Sequence, residues 1–169
     1  LSILYILPLR NGNNVRHVPY IKIFLIAITW VWVTTYLPLW LNNEVLDVNV
    51  GLFIAHRLLF IVAITIPFDI RDIYSDQLSN LHTLPSYYGV SLSRKYAVGT
   101  ALLSLGPLIP FFIAGNVTQS IAFYGIFMVI VLFLIRNSSP QRSSYYFGYL
   151  LDGCLLALGI IEVYLSTNF

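Results

Sequence analysis

Residues 48–76 read VNVGLFIAHRLLFIVAITIPFDIRDIYSD, an apolar run that ends in a group of carboxylates. Helices that cross a membrane need about 20 mostly apolar residues, and the part from Val48 to Pro67 meets that length. Asp69, Asp72 and Asp76 follow at once, so three of the seven acidic residues of the chain fall in one short segment. The sequence therefore predicts a membrane-spanning helix that leads into an acidic surface segment.

The overall composition is that of a membrane protein. Of the 169 residues, 58% are hydrophobic and only 9% are charged, and the mean hydropathy is +0.80. Water-soluble domains carry about 25% charged residues, so this class is excluded. We expect the lipid bilayer, and no nucleic acid, among the partners. The single cysteine, Cys154, allows no disulfide within the chain and is expected to be a buried apolar residue.

Hydropathy predicts an all-α, polytopic transmembrane helix bundle that forms one domain over residues 1–169. Because the chain opens inside an apolar segment, it looks like the later part of a longer protein, incomplete at its N-terminus. The predicted helices are five complete spans and, at Leu1–Leu9, the tail of a sixth. The five spans are Val18–Trp40, Val48–Pro67, Tyr96–Ala114, Val117–Ile135 and Tyr145–Tyr164.

Basic residues predict the orientation of these spans. If neighbouring spans run antiparallel, eight of the nine basic residues fall on one side of the membrane, and Glu44 and Asp47 fall on the other. The positive-inside rule makes the basic side cytoplasmic. Segment 68–92, which carries the aspartates, is then a cytoplasmic loop of an integral protein of the cell or inner membrane. The eight basic residues are Arg10, Arg16, Lys22, Arg71, Arg94, Lys95, Arg136 and Arg142.

The spacing of Asp69, Asp72 and Asp76 suggests a metal site. On a helix these three residues fall within about 60° of arc, and carboxylates so close need a cation or raised pKa values. Oxygen ligands without His or Cys suit Mg²⁺, which completes its shell with water and phosphate oxygens. The alternative is a solvated helix end, in which Asp69 only caps a short helix after Pro67.

A longer pattern around these aspartates resembles a known family. The stretch DIRDIYSDQLSNLHTLPSYYG combines the three aspartates with His82, the tripeptide Thr83-Leu84-Pro85 and Gly89. It is similar to the second aspartate motif of the UbiA-type membrane prenyltransferase superfamily, and the order of spans around it is similar to the second half of that family. The family usually has Lys where this chain has His82.

The resemblance implies a function and a larger fold. Family members transfer a prenyl group from an allylic diphosphate to a lipophilic, often aromatic acceptor, in quinone, haem and chlorophyll pathways. Their nine-helix bundle holds Mg²⁺ and diphosphate between two aspartate motifs. In this chain Asp69, Asp72 and Asp76 would take the catalytic, metal-binding role of the second motif. The first motif is absent from this sequence: either it lies in a missing upstream half, or the protein is a non-catalytic relative that binds an isoprenoid or scaffolds a pathway.

Further residues are candidates for contact with the diphosphate. These are Arg94, Lys95 and His82, although basic residues at span ends also serve as headgroup anchors. We expect Arg71 to face headgroups or a neighbouring loop. Tyr74, Tyr87 and Tyr88 are candidates for cation-stabilising or lid residues, or for an interfacial tyrosine belt.

Two charges are predicted inside the membrane, where each costs on the order of 3 kcal/mol on insertion scales. Counting from the cytoplasmic ends places Arg57 about 18 Å and Asp152 about 13 Å deep, so we expect them to pair. Such a pair is either structural, part of a cavity wall, or a polar relay of a transporter. His56 is expected to be a hydrogen-bonded core residue, and Glu162 to reach headgroups.

Overall fold

The structure is a computed structural model that describes residues 21–79, 81–114 and 117–167, and the described chain is helical without strands. The predicted helix tail at Leu1–Leu9 and the predicted anchors Arg10 and Arg16 lie outside the described residues. The α-helices, in chain order, are α1 (Ile21–Val31), α2 (Leu37–Leu41), α3 (Val48–Arg71), α4 (Ile73–Leu78), α5 (Leu84–Leu103), α6 (Ile109–Ala114), α7 (Val117–Asn137) and α8 (Asp152–Thr167).

Four helical segments of the described chain are long and apolar enough to cross a membrane, which supports an integral membrane protein. Their bounds are Ile21–Leu41, Val48–Arg71, Leu84–Ile113 and Tyr146–Tyr164. The first and last are continuous because π-helical turns at Trp32–Tyr36 and Tyr146–Leu151 join α1 to α2 and lead into α8. The predicted fourth span, Val117–Ile135, corresponds to α7, of which the part with described side chains, Ala122–Asn137, is apolar but shorter than the other four segments. The count of five is therefore not confirmed.

Helix α3 lies at the centre of the bundle. It packs mainly against α5 on one side and α1 on another. Its side chains Phe60, Ile64 and Ile70 are almost fully buried, and they join Val131 of α7 and Phe147 before α8 in one apolar core. A helix that is apolar on every side can be covered by neighbours in this way, so α3 can present its few polar side chains only toward gaps between helices.

Helix α3 begins at Val48 as predicted, but it ends later than predicted. Asp47 caps its N-terminus by accepting a hydrogen bond from the backbone N–H of Val50, at 2.8 Å. At the other end the helix continues through Pro67 to Arg71. Pro67 is buried. Neighbouring helices therefore cover this turn, and membrane helices tolerate proline where their surroundings compensate for the lost hydrogen bond.

The segment 68–92, predicted as a loop, is mainly helical. It contains the end of α3, the short α4 and the first two turns of α5. Helix α5 begins at Leu84 because Thr83 precedes it as N-cap: the Thr83 backbone N–H donates to Ser86 Oγ at 2.8 Å. Pro85 occupies the first turn, where its missing N–H costs nothing. The predicted start at Tyr96 is thus wrong by about three turns, since the polar first turns hide the helix from hydropathy.

Contacts between elements gather basic residues at one end of the bundle. Lys22 of α1 reaches Asp69 near the end of α3. The Arg71 guanidinium lies 5.5 Å from the ring centre of Phe147, and that of Arg142 lies 5.3 Å from the ring centre of Tyr146. Lys22, Arg71 and Arg142 therefore share one end, as antiparallel spans require. Which side of the membrane that end faces remains a prediction.

Candidate functional site

The end of α3 forms one wall of an open cavity, which we call the ionic chamber. Its volume is about 260 Å³. Charged residues from three helical segments line it, together with the apolar side chains of Trp30, Ile61, Phe68 and Leu155. The charged lining residues are Lys22, Asp69, Arg71, Asp72 and Asp152.

Asp69 is the most enclosed member of the chamber. Its side chain is 1% exposed, and its Oδ1 accepts a hydrogen bond from Lys22 Nζ at 2.9 Å. The prediction of a solvated, capping Asp69 is therefore wrong. Asp69 Oδ2 is also buried and has no hydrogen-bond partner in the part of the chain that the structure describes. Lys22 therefore balances the charge of Asp69 through Oδ1, and Oδ2 keeps its acceptor capacity unused by the described residues.

Asp72 stands where the chain leaves α3. Both of its carboxylate oxygens accept hydrogen bonds from Arg71, from Nε at 2.7 Å and from a terminal nitrogen at 3.0 Å. The Arg71 guanidinium also lies 5.2 Å from the ring centre of Phe68. Arg71, expected to face headgroups or a neighbouring loop, pairs with Asp72, because the break in the helix turns this carboxylate toward its neighbour. Both side chains are about one-third exposed, so the pair is open to exchange with a ligand.

Asp76 lies on α4, beyond the break, and is only 5% exposed. It is close enough to Lys22 and Asp69 for their charges to interact. Its Oδ2 is buried and unpartnered among the described residues. Asp76 is thus not at a solvated helix end. The three aspartates lie in one region, but they belong to two helices rather than to the single regular face that the spacing suggests.

The carboxylate oxygens fit Mg²⁺ only together with a further ligand. Within residues 21–79, 81–114 and 117–167, no three or more His, Cys, Asp or Glu side chains are grouped so that they could hold a metal ion by themselves. Asp69 and Asp76 nevertheless each keep one buried oxygen without a partner. Mg²⁺ commonly takes only one or two carboxylates and fills its shell with water and phosphate oxygens. The arrangement fits an ion shared with a phosphate ligand, and the assignment of all three aspartates stays a prediction.

The cations of the ionic chamber are not the ones that the sequence suggested. Lys22 and Arg71 line it, whereas Arg94, Lys95 and His82 are not among its lining residues. Lys95 and His82 are exposed, and Arg94 is half-buried on α5, close enough to Tyr146 for an electrostatic interaction. Tyr74, Tyr87 and Tyr88 are exposed as well, with exposed fractions of 62%, 71% and 45%. Their proposed roles stay predictions.

Deeper in the bundle, the predicted Arg57–Asp152 pair is replaced by a different one. Arg57 donates to Glu162 through a terminal nitrogen. The Glu162 side chain is only 8% exposed, so its predicted contact with headgroups is also wrong. Asp152 is exposed and interacts instead with Arg71. The depth count failed because α3 continues beyond Pro67 to Arg71. Counted from Arg71 and from Tyr146, Arg57 is about 21 Å from the ionic end, Glu162 about 24 Å and Asp152 only about 9 Å.

His56 is confirmed as a hydrogen-bonded core residue. It is fully buried, and its Nδ1 lies 2.8 Å from the backbone oxygen of Ser104. Its Nε2 lies 3.9 Å from Glu162 Oε1, beyond hydrogen-bond distance. Cys154 is confirmed as a buried free thiol, whose Sγ lies 3.1 Å from the backbone oxygen of Leu150.

A second cavity, which we call the inner chamber, adjoins the ionic chamber. Its volume is about 410 Å³, and Thr34 and Arg57 are its polar lining residues away from the ionic end. The two chambers share four lining residues, so they form one groove between the first and last spans along α3. The shared residues are Trp30, Ile61, Asp152 and Leu155. The groove is charged at one end, has Asp152 and mainly apolar side chains where the two chambers meet, and is polar again at Arg57.

Sequence reasoning missed Lys22, Arg71 and Glu162 as members of polar clusters, and it gave Asp152 the wrong partner. A signal for two of them was present. Lys22 and Glu162 lie inside apolar spans, where an ionisable side chain usually has a partner in the bundle. Their partners could not be read from the sequence, because the neighbour of each helix is set by packing.

Comparisons with protein-family models, with curated proteins and with solved structures gave no match to this chain. The resemblance to UbiA-type prenyltransferases therefore stands on the residues of the motif alone.

Proposed function

We propose that this protein takes part in the transfer of a prenyl group from an allylic diphosphate to a lipophilic acceptor, with Mg²⁺. The observation that carries the proposal is the groove, in which a charged end continues into an apolar channel inside the membrane. An allylic diphosphate has the same division into a charged head and an apolar tail. The motif containing Asp69, Asp72 and Asp76 supports the same assignment.

The charges of the ionic chamber suit departure of a diphosphate. Breaking the allylic C–O bond leaves negative charge on the diphosphate and positive charge on carbon. Lys22 and Arg71 supply cations that stabilise the negative charge on the diphosphate. The ring faces of Trp30 and Phe68 stabilise the positive charge on carbon. Mg²⁺, when bound by Asp69 and Asp76, would neutralise part of the diphosphate charge.

One observation favours a second candidate, a non-catalytic membrane protein that binds an isoprenoid. Asp69 is bonded to Lys22, and Asp72 is bonded through both oxygens to Arg71. Carboxylates satisfied by protein cations need no metal ion. In such a protein the groove would hold an isoprenoid without breaking its diphosphate ester.

The two candidates are separated by measuring diphosphate release. The full-length protein, reconstituted in lipid nanodiscs, is mixed with farnesyl diphosphate and a phenolic acceptor, with Mg²⁺ or with a chelator. We expect release of diphosphate only with Mg²⁺. The Asp76→Asn variant, which removes a carboxylate assigned to Mg²⁺, should lower this release by about 100-fold, the scale of loss when one electrostatic group is removed from an active site. Binding of radiolabelled farnesyl diphosphate is measured in parallel.

The matched control is Glu44→Gln, which neutralises an exposed acid in the connection between the first two spans. It should release diphosphate at the wild-type rate. Binding of farnesyl diphosphate without any release would establish the non-catalytic candidate. Absence of both binding and release would exclude both candidates.

A further inference from the structure

Around Arg57, three buried polar atoms have no hydrogen-bond partner in the described part of the chain. They are Arg57 Nε, Glu162 Oε1 and His56 Nε2. Unsatisfied polar atoms are rare in protein interiors and call for an explanation. One of them belongs to the guanidinium of Arg57, whose side chain lines the inner chamber and is 18% exposed, and the other two belong to its partner Glu162 and to His56, which lies 3.9 Å from Glu162.

Arg57 lies near the middle of its span. At 1.5 Å per residue, it is about 14 Å from Val48 and about 21 Å from Arg71 along α3. The hydrocarbon core of a bilayer is about 30 Å thick. Ester carbonyls and headgroups of lipids lie at its borders, so they are too distant to explain a guanidinium at this depth. An occupant of the inner chamber must be a molecule that enters the apolar region.

The structure holds Arg57 in place before any ligand arrives. One terminal nitrogen donates to Glu162, and the other donates to Thr34 Oγ1 at 3.4 Å. The guanidinium also lies 5.1 Å from the ring centre of Phe53. Arginine carries five N–H donors, so these two bonds leave donors that no described residue uses. Because the group is fixed, a ligand would bind it without a large loss of side-chain entropy.

The chemistry of the pocket defines the ligand class. Glu162 already balances the charge of Arg57, so the site does not call for an anion. Asp152 adds a second carboxylate to the inner chamber, which disfavours an anion further, and apart from Thr34 the other walls are mainly apolar, formed by Leu155, Leu156 and Leu158 among others. We infer that the inner chamber binds a neutral lipophilic molecule through a carbonyl or phenolic oxygen that accepts a hydrogen bond from Arg57.

This ligand differs from the diphosphate of the proposed function. Asp69 and Arg57 are about 18 Å apart along α3, so a diphosphate head in the ionic chamber does not reach the unused donors of Arg57. A prenyl tail offers no hydrogen-bond acceptor. The inner site therefore requires a second molecule, and its existence does not depend on whether diphosphate is released.

A matched pair of probes tests the inference, β-naphthol and naphthalene, which differ by one hydroxyl group. Their binding is measured by equilibrium dialysis against the full-length protein in lipid nanodiscs, with binding to empty nanodiscs subtracted. We expect the wild-type protein to bind β-naphthol about tenfold more tightly than naphthalene, as one hydrogen bond from a charged group implies. Equal binding of the two probes would overturn the inference.

The decisive variant removes the pair as a whole, Arg57→Met together with Glu162→Met. Replacing a buried ion pair by apolar side chains of similar size is often neutral for stability, so this variant should fold. It should still bind naphthalene but lose the tenfold preference for β-naphthol. The control variant Arg136→Met removes an exposed cation at the end of α7 and should keep the preference. A preference that persists in the double variant would show that Arg57 is not the donor.

Discussion

At the scale of single residues, two pairs of charges join different helices of the described chain. Lys22 bonds to Asp69, and Arg57 bonds to Glu162. Ionisable residues inside a membrane are costly, and pairing within the bundle reduces that cost. The same pairs place a cation or a spare carboxylate oxygen in each chamber, so the residues that stabilise the bundle also define its cavities.

The Lys22–Asp69 pair should contribute measurably to stability. Lys22→Met leaves the carboxylate of Asp69 buried without its cation. We expect a loss of about 2–3 kcal/mol in the free energy of unfolding, less than the 3–5 kcal/mol of a pair buried on both sides, because the Lys22 side chain is 31% exposed. Denaturant titration in detergent micelles measures this loss.

Two further variants check the cause. Adding Asp69→Leu to Lys22→Met should restore much of the stability, since no uncompensated charge then remains. Lys95→Met, which removes an exposed cation of α5, should change stability by less than about 0.5 kcal/mol. Equal losses in Lys22→Met and Lys95→Met would contradict the role of the ion pair.

Residue roles were predictable where they depend on the local environment and unpredictable where they depend on helix neighbours. His56 and Cys154 are buried as expected, because a small or weakly polar side chain in an apolar run is covered by any neighbour. To predict the partner of Arg57, one must know how far the last span is displaced along α3. The sequence contains two acids in that span, and only packing selects Glu162 over Asp152.

At the scale of helices, hydropathy located the apolar centres and missed the polar ends. The span at Val48–Pro67 was found, but its continuation to Arg71 includes a proline and charges that resemble a helix end. Helix α5 begins at Leu84, inside a segment that is too polar to be counted as membrane. The capping hydrogen bond between Thr83 and Ser86 sets the start of α5. A capping pattern is read from a few neighbouring residues, and the hydropathy of a span does not report it.

Gly89 interrupts α5 in a way that only glycine tolerates. Its φ of +78° and ψ of +163° lie in a region that side chains with a Cβ rarely enter. Gly89→Ala should therefore cost about 1–3 kcal/mol in the free energy of unfolding, or straighten the helix. Thermal unfolding followed by circular dichroism in detergent measures the first effect.

The same helix provides the control. Gly99 has helical backbone angles and open space around its α-carbon. Gly99→Ala should be neutral or stabilise the helix by about 0.5–1 kcal/mol, since alanine loses less backbone entropy than glycine. A similar response of both variants would show that the kink at Gly89 does not matter for stability.

At the scale of the whole molecule, the described helices form a bundle with basic residues at one end and Glu44 and Asp47 at the other. Hydropathy and charge together predicted this arrangement, because both depend on the bilayer rather than on detailed packing. The groove was not predictable in the same way, because it lies between the first and last spans, which are distant in sequence.

The topology can be checked by cysteine labelling. In a Cys154→Ala background, Val45→Cys and His82→Cys place single thiols at exposed positions on either side of the Val48–Arg71 helix. In intact cells, a membrane-impermeant maleimide should label the first variant, and the second only after permeabilisation. Labelling of both variants from the outside would contradict a membrane-spanning α3.

The partners Arg57 and Glu162 are separated by 105 residues of chain. Ribosomes add about 5–20 residues per second, so the arginine enters the bilayer on the order of ten seconds before its counter-ion has been synthesised. During that interval the nascent protein carries an uncompensated positive charge among lipid tails. Only the last helix removes it, so a translation product that stops before Glu162 keeps a permanent defect that membrane quality control can recognise.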